Sequence, residues 1–484
     1  MANIGVEVTT GLRSGPSNTG APTGLLHIGG LTERGPATTS LSVASLAQYE
    51  ARYGARTAYA TTMYDTARLF FEEGGSQLVV SRAVGPAATK GFLVLKDSLA
   101  VDTAKLEAVN PGAYSTGLSV TVTSDAGDMF SVTVLDGSSP VAVFRNLESV
   151  AELVSASTAN TSIKVTDLGS ASAGPAANPV ALTATALSAG TDDRAGVNAA
   201  AVITALATAE EAAAGGAVAA PGFSADIIGT ALLAHAAGAN KAALLATSAT
   251  STTDEALVEA AALNADVNGS YGALFYPHLI IPDGSGTRTI SPEGYIGAVR
   301  ARAFKETGFW QVPAGDRART QWVIGTVTPV NVEKNNALSE GLVNGIVTTN
   351  GRVRLYNWTS LAADRDNLAL LSARDVLNNL TVQVKAALEP YVFATLDGRG
   401  WLLSHVESAI ESVLAPVATA GGFYPRTDDG EEIDPGYLVR VDTTNNTLDT
   451  GALNTVIADI SVRLSPTAAL IKVEIVKVAL AAAL

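Results

Sequence analysis

The chain is 484 residues long, 47% hydrophobic and only 16% charged, with 45 glycines, no cysteine and a formal net charge of −15. That length exceeds one ordinary core and predicts three or four compact units at ~150 residues each; the apolar fraction excludes a disordered chain, and scattered basic residues in an acidic chain argue against nucleic-acid binding. The lack of cysteine excludes disulfides and thiolate metal sites, and the absence of an export pattern or an apolar run of ~20 residues predicts folding in a reducing cytoplasm without a membrane span.

Near the amino terminus Ile4, Val6 and Val8 alternate with Gly5 and Glu7, the period-two pattern of a half-buried strand. Residues 9–24 are mostly glycine, serine, threonine and proline, the composition of a tether. An apolar start at Leu25 leads into predicted helices over Val43–Tyr53 and Thr62–Glu73, the second stopped by Gly74 and Gly75, and then a buried strand over Gln77–Val84. From residue 86 to 192 the texture changes to short alternating runs such as Leu118–Thr123 and Phe130–Leu135 between Asp/Gly/Ser turns, which predicts a small β-rich module inserted into a larger α/β domain.

Helices then alternate with short strands: helices over Asn198–Ala213, Ser224–Ala237 and Thr252–Ala265, strands over Gly216–Pro221, Lys241–Ala246 and Gly272–Tyr276. This alternation predicts a largely parallel sheet covered by helices. A further helix is expected from the cap Ser291 to Gly308. Beyond it, strands around Trp322 and Arg352, long helices over Ala363–Leu388 and Trp401–Val417 and a hairpin over Gly422–Asp442 predict an α+β unit. The chain closes on Ile471, Val473 and Ile475 alternating with charge, with a phase slip into Val476 and Val478 that a bulge would produce. Strands at both ends, with no following strand to pair the last, are suited to completing another chain's sheet edge.

The chemistry-bearing residues form no constellation in sequence. His27, His235, His278 and His405 lie far apart with no partner at helical spacing, and His278, after Tyr276-Pro277, reads as a packed residue at a strand end. There is no phosphate loop and no nucleophile elbow; Gly29-Gly30 through Gly35 lacks the lysine and reads as a turn. The acidic run Asp428–Asp434 departs from calcium-loop spacing and reads as a solvated hairpin loop. Arg317, Arg319, Arg352 and Arg354 are assigned to salt bridges across subunits rather than to anion sites. No catalytic, cofactor-binding or metal-binding residue is nominated, which favours a structural protein; a surface lattice or adhesin-type protein and an enzyme on the α/β domain are the alternatives.

Taken in order, Leu31–Pro36, Val43–Glu50 with Arg52-Tyr-Gly54, Leu69–Gly75, Val79–Ala83, Asn110–Tyr114 before Leu118–Val122, Ala220-Pro-Gly222, Tyr276-Pro277, the helix from Ser291, Val312–Gly315, Leu342-Val-Asn344, Asn445–Thr447 and Leu464-Ser-Pro466 resemble the sheath proteins of contractile phage tails and related injection systems. The chain departs from that pattern at Tyr356–Ser360, where an aromatic-Gly-x-Arg-Thr strand is usual, and at Ala468-Ala469, where an acidic-aromatic pair is usual. The resemblance implies an α/β and α+β multidomain fold: an arm and linker over 1–24, an α/β sheath domain over 25–85 with 193–310, the inserted domain over 86–192, a C-terminal α+β sheath domain over 311–465 and a strand arm over 466–484. It implies a non-enzymatic virion tail subunit without cofactor. Such a subunit stacks with its copies as hexameric rings in a contractile helical tube around a tail tube protein, between baseplate and tail terminator proteins. Ile4, Val6, Val8, Ile471, Val473, Ile475, Val476 and Val478 are then the interface residues of the arms.

Overall fold

A computed structural model describes residues 24–172, 174–209, 215–284, 286–349, 351–428 and 431–468. These fall into two compact units, residues 24–309 with 313–379, and residues 310–312 with 380–468. The break expected at 310/311 is therefore not where the units divide: residues 313–379 belong with the body, because strands from that stretch complete the body's sheet.

The body opens with β1 (Leu26–Gly30), β2 (Leu41–Val43), α1 (Leu46–Tyr53), α2 (Thr61–Glu72) and β3 (Leu78–Arg82). Ser45 caps α1 by accepting from Gln48 N–H, and β1 and β3 are buried at every residue because both sheet faces are covered. The inserted segment carries β4 (Phe92–Lys96), β5 (Asp102–Ala108), β6 (Leu118–Ser124), β7 (Phe130–Asp136), β8 (Ser139–Leu147), α3 (Val150–Ser157), β9 (Ile163–Asp167) and β10 (Leu182–Ala186). These strands form two antiparallel sheets, β4-β5-β9 and β10-β6-β7-β8. The inward alternation of Val120, Val122, Val132, Val134, Leu106 and Val165 builds a core of its own between them.

The body resumes with α4 (Ala199–Ala207), β11 (Ala217–Ala219), α5 (Ala225–Gly238), β12 (Ala242–Ala246), α6 (Thr253–Asn264) and β13 (Gly272–Tyr276). A hairpin, β14 (Leu279–Asp283) and β15 (Gly286–Ile290), leads to α7 (Glu293–Glu306), β16 (Gly325–Thr326), α8 (Val332–Glu340), β17 (Val343–Thr349), β18 (Arg352–Leu355) and α9 (Leu371–Leu388). The main sheet runs β18-β17-β13-β12-β11-β1-β3-β2, parallel from β17 to β3 with an antiparallel strand at each edge. Helices α4, α5, α6 and α8 cover one face around Leu206, Leu232, Leu245, Leu263 and Leu338, and α2 and α7 pack together on the sheet as well, with Gly297 against Leu26.

Several sequence expectations shift. The helix expected from Ala363 begins at Leu371, because Asp364 turns the preceding chain by accepting from the amides of Asp366 and Asn367. Pro292 rather than Ser291 stands at the cap of α7. Helix α8 has no counterpart in the expected elements; its Asn331 cap accepts from Lys334 N–H at 2.8 Å, while its polar sequence hides the periodicity. Arg317, Arg319 and Arg354, expected to pair across subunits, find partners in their own chain: Glu306 for Arg317, and Asp316 for the other two.

The other unit contains α10 (Trp401–Thr419), the hairpin β19 (Arg426–Asp428) and β20 (Glu431–Asp434), β21 (Tyr437–Arg440), the short α11 (Leu448–Ala452) and β22 (Asp459–Val462). The acidic run thus lies at a hairpin, as its composition predicts. The expected hairpin over Gly422–Asp442 is only partly local: β21 pairs with β22, nearly twenty residues downstream, instead of with its predecessor.

Candidate assembly interface

The eight arm residues proposed from sequence, Ile4, Val6, Val8, Ile471, Val473, Ile475, Val476 and Val478, lie outside the described residues. The surface that could receive such strands is described. In the unit built on 380–468, β21 and β22 form a two-stranded antiparallel sheet, with Leu438 opposite Ser461 and Val439 opposite Ile460. Its inner face carries Val439, 9% exposed, toward α10, whose Ile410, Val413, Leu414 and Val417 are buried. Its outer face presents Leu438, 63% exposed.

Register fixes which backbone groups remain on offer. Arg463 N–H donates to Gly436 O at 2.7 Å, so position 463 faces β21, and by the two-residue repeat 461 and 459 face it too. The backbone groups of Ile460 and Val462 therefore point to the opposite edge, where no further strand lies among the described residues. A sheet of two strands is marginal in water, and an open edge is a template for another strand. Two ion pairs hold this template in register: Arg440 with Asp459 across the strands at 3.0 Å, and Arg463 with Asp434 at 2.9 Å, which ties the β19–β20 hairpin to the end of β22. Arg463 holds the Asp434 carboxyl below its ordinary range, and Arg440, helped by Asn445, does the same for Asp459.

The same unit exposes more apolar surface than a free-standing one needs. A groove of ≈ 1510 Å³ is lined by Tyr391, Val392, Leu396, Leu402, Val406 and Leu448 among others, and Phe393, Trp401 and Leu453 stand in solvent around it. Contiguous apolar exposure of this kind is a feature of surfaces that bind a protein partner, a membrane or a ligand.

The sequence reading missed two buried polar clusters in the body because their members are far apart in the chain. His27, β1, lies 2.6 Å by Nε2 from Ser81 Oγ and 3.0 Å by Nδ1 from Lys241 Nζ, all three wholly buried. Burial, reinforced by the charge of Lys241, pushes the His27 pKa well down, so the ring is neutral, accepts from the ammonium and donates to the serine. At the mouth of the inserted segment, Arg82 reaches Asp192 at 2.6 Å, and Asp192 also receives Arg194 at 2.6 Å. His278 bonds Thr247 O at 2.8 Å, the packed strand-end role expected of it. Among the described residues no three metal-ligating side chains come together, and no helix is long and apolar enough to cross a membrane.

No protein-family model and no curated protein matches the chain. Solved structures do. The contracted helical sheath of the anti-feeding prophage superposes with TM-score 0.58 at 14% identity, covering 99% of each chain. The contracted sheath complex of an extracellular contractile injection system, PVC, gives 0.57 at 12%, covering 99% of this chain and 98% of that one. The sheath tail protein of Listeria innocua gives 0.60 at 12%, covering 87% and 88%. Over nearly the whole length of these neighbours, the chain thus has the fold of contractile-system sheath proteins.

Proposed function

We propose that this protein is a tail sheath subunit. It polymerises with its own copies as stacked six-membered rings in a helical tube around an inner tail tube, and it contracts to drive that tube through a target envelope. The observation that carries this reading is likeness to sheath structures across 99% of the chain, joined to a sheet edge at Ile460 and Val462 that awaits a strand. The arms over 1–24 and 466–484 supply such strands: Ile4, Val6 and Val8 from one copy and Ile471, Val473, Ile475, Val476 and Val478 from another.

A donated strand of five or six residues forms several backbone hydrogen bonds at ~0.5–1.5 kcal/mol each and buries branched side chains at ~1.5–3 kcal/mol each, less the cost of ordering the tether. That linkage survives while the bodies repack, so the lattice shortens without coming apart. Head-to-tail contacts of this type generate helices rather than closed pairs, and a small free-energy gap per subunit sums over a tube into an irreversible stroke. The role is structural, with no cofactor; the baseplate, tail terminator and tube proteins are the partners, and assembly takes place in the host cytoplasm before incorporation in the virion tail.

Electron microscopy of the purified protein tests this directly. Hollow, striated tubes are the expected product, and a two-dimensional lattice or only monodisperse globular particles would replace the reading with one of its alternatives.

A further inference from the structure

The parallel sheet of the body reverses its strand order beside β1: the chain moves outward from β1 to β3 on one side and through β11, β12, β13 and β17 on the other. In open α/β sheets the crevice beyond the carboxyl ends of the strands at such a point is where ligands bind. A pocket of ≈ 380 Å³ opens beyond the carboxyl ends of β11, β12 and β13, on one side of that point, walled by Gly222–Ser224 after β11, Thr247–Ala249 after β12, His278 after β13, Thr61, Thr62 and the carboxyl-bearing Asp65 of α2, and Arg56 and Arg288.

Its chemistry is that of an oxyanion site. Two helices of more than ten residues begin at it without a side-chain cap, α2 behind Ala60 and α5 behind Ser224; α7 and α10 lack one as well, whereas α1, α3, α4, α6 and α8 are capped by Ser45, Ser149, Asn198, Thr252 and Asn331. Uncapped first-turn amides call for an acceptor, and the helix dipole favours a negative one. Arg56 and Arg288 converge on a single carboxylate oxygen, Asp65 Oδ1, at 3.0 and 2.8 Å; Arg288 also reaches Asp283, which stands half in solvent where its charge is screened.

Two buried donors in the wall point independently to a missing ligand. Thr247 is 1% exposed and its Oγ1 has no hydrogen-bond partner among the described residues, and neither has Arg288 Nε. A buried donor left unmade costs about 1–3 kcal/mol, which an acceptor brought within reach of either atom would recover.

We propose that the pocket formed by Thr247, Arg288, Arg56 and the amino-terminal turns of α2 and α5 binds an oxyanion, a phosphate or carboxylate group. Two sources carry that chemistry: a free anion, and an aspartate or glutamate side chain of a neighbouring copy. The pocket is inferred from the body alone and does not rest on the sheath reading.

Equilibrium dialysis of the full-length subunit against radiolabelled inorganic phosphate, with acetate as competitor, tests it. Saturable binding of one phosphate per chain is expected, weakened about tenfold in Arg288→Gln and about fivefold in the near-isosteric Thr247→Val, and unchanged in Arg145→Gln on the inserted segment. Circular dichroism checks that each variant is folded; should Arg288→Gln unfold, Thr247→Val alone decides. The proposal is overturned if the wild-type subunit takes up no phosphate in the millimolar range, or if folded variants bind as it does. Repeating the dialysis on assembled tubes separates the sources: exclusion of phosphate from tubes identifies a neighbour's carboxylate as the occupant, and undiminished uptake identifies a free anion. Absence of tubes would count against the sheath reading and leave the subunit measurement standing.

Discussion

Arg82 Nη2 lies 2.6 Å from Asp192 Oδ1, and this wholly buried pair closes the mouth of the inserted segment. Arg82 ends β3, Asp192 sits at the segment's exit, and the two crossings are zipped by Gly85 N–H to Asp192 O at 2.9 Å and by reciprocal bonds between Thr89 and Thr191. Gly112, with φ +137°, packs so closely on both side chains that any Cβ there would overlap Asp192. Asp192→Ala leaves a buried guanidinium uncompensated and is expected to cost about 3–5 kcal/mol, read from urea denaturation. A loss below about 1 kcal/mol would mean that the pair is not what closes the junction.

Glu73, wholly buried at the end of α2, accepts from three successive amides, Gln321, Trp322 and Val323, at 2.8–3.2 Å. Glu73→Ala strands those donors and is expected to destabilise the body by about 3 kcal/mol, with hydrogen exchange at residues 321–323 accelerating before any other part of the body.

Acid and base act on stability in opposite directions at different buried groups. Burial drives the pKa of His235 down from 6.5 to about 4 and that of His27 well below 6.5, so the unfolded chain binds protons there that the folded one refuses. Stability from this source is complete above about pH 6.5 and is lost as the pH falls toward 4; His235→Gln should flatten that limb of a melting-temperature profile.

Glu293 behaves conversely. Burial raises its carboxyl from 4.5 to about 7, Ser291 only partly offsetting it, so the folded chain keeps a proton that the unfolded one has released. Its contribution is present below about pH 4.5 and lost as the pH rises through 7. Glu293→Gln should therefore gain on the order of 3 kcal/mol relative to the parent at pH 8 and nothing at pH 4. Equal curves at both values would contradict the assignment.

The open edge makes its own prediction. Proline at Ile460 or Val462 removes an outward N–H without breaking a bond to β21, so Ile460→Pro and Val462→Pro should give folded subunits that no longer form tubes. Ser461→Pro, which deletes an inward bond, should instead unfold the β21–β22 sheet. Deleting residues 470–484 should match the edge variants in sedimentation and microscopy, and normal tubes from either would refute strand donation.

Periodicity and punctuation alone determined the local elements of the body: the buried runs of β3, β12 and β13, the helix closed by Gly74 and the one beginning at Thr252, and the alternating strands at Val120 and Val132, because each reports its own burial within a few residues. Tertiary structure decided what depends on residues remote in the chain. It placed β17 in the body's sheet beside β13, where Asn344 ties Leu274 O and Thr359 O together, and so moved the expected boundary. It paired β21 with β22 rather than with a nearer strand, joined Arg82 to Asp192, and gathered Thr247, Arg288 and two uncapped helix starts around one pocket. Such contacts bring together side chains tens to hundreds of residues apart, and a local pattern of hydrophobicity carries no record of which distant group will lie opposite.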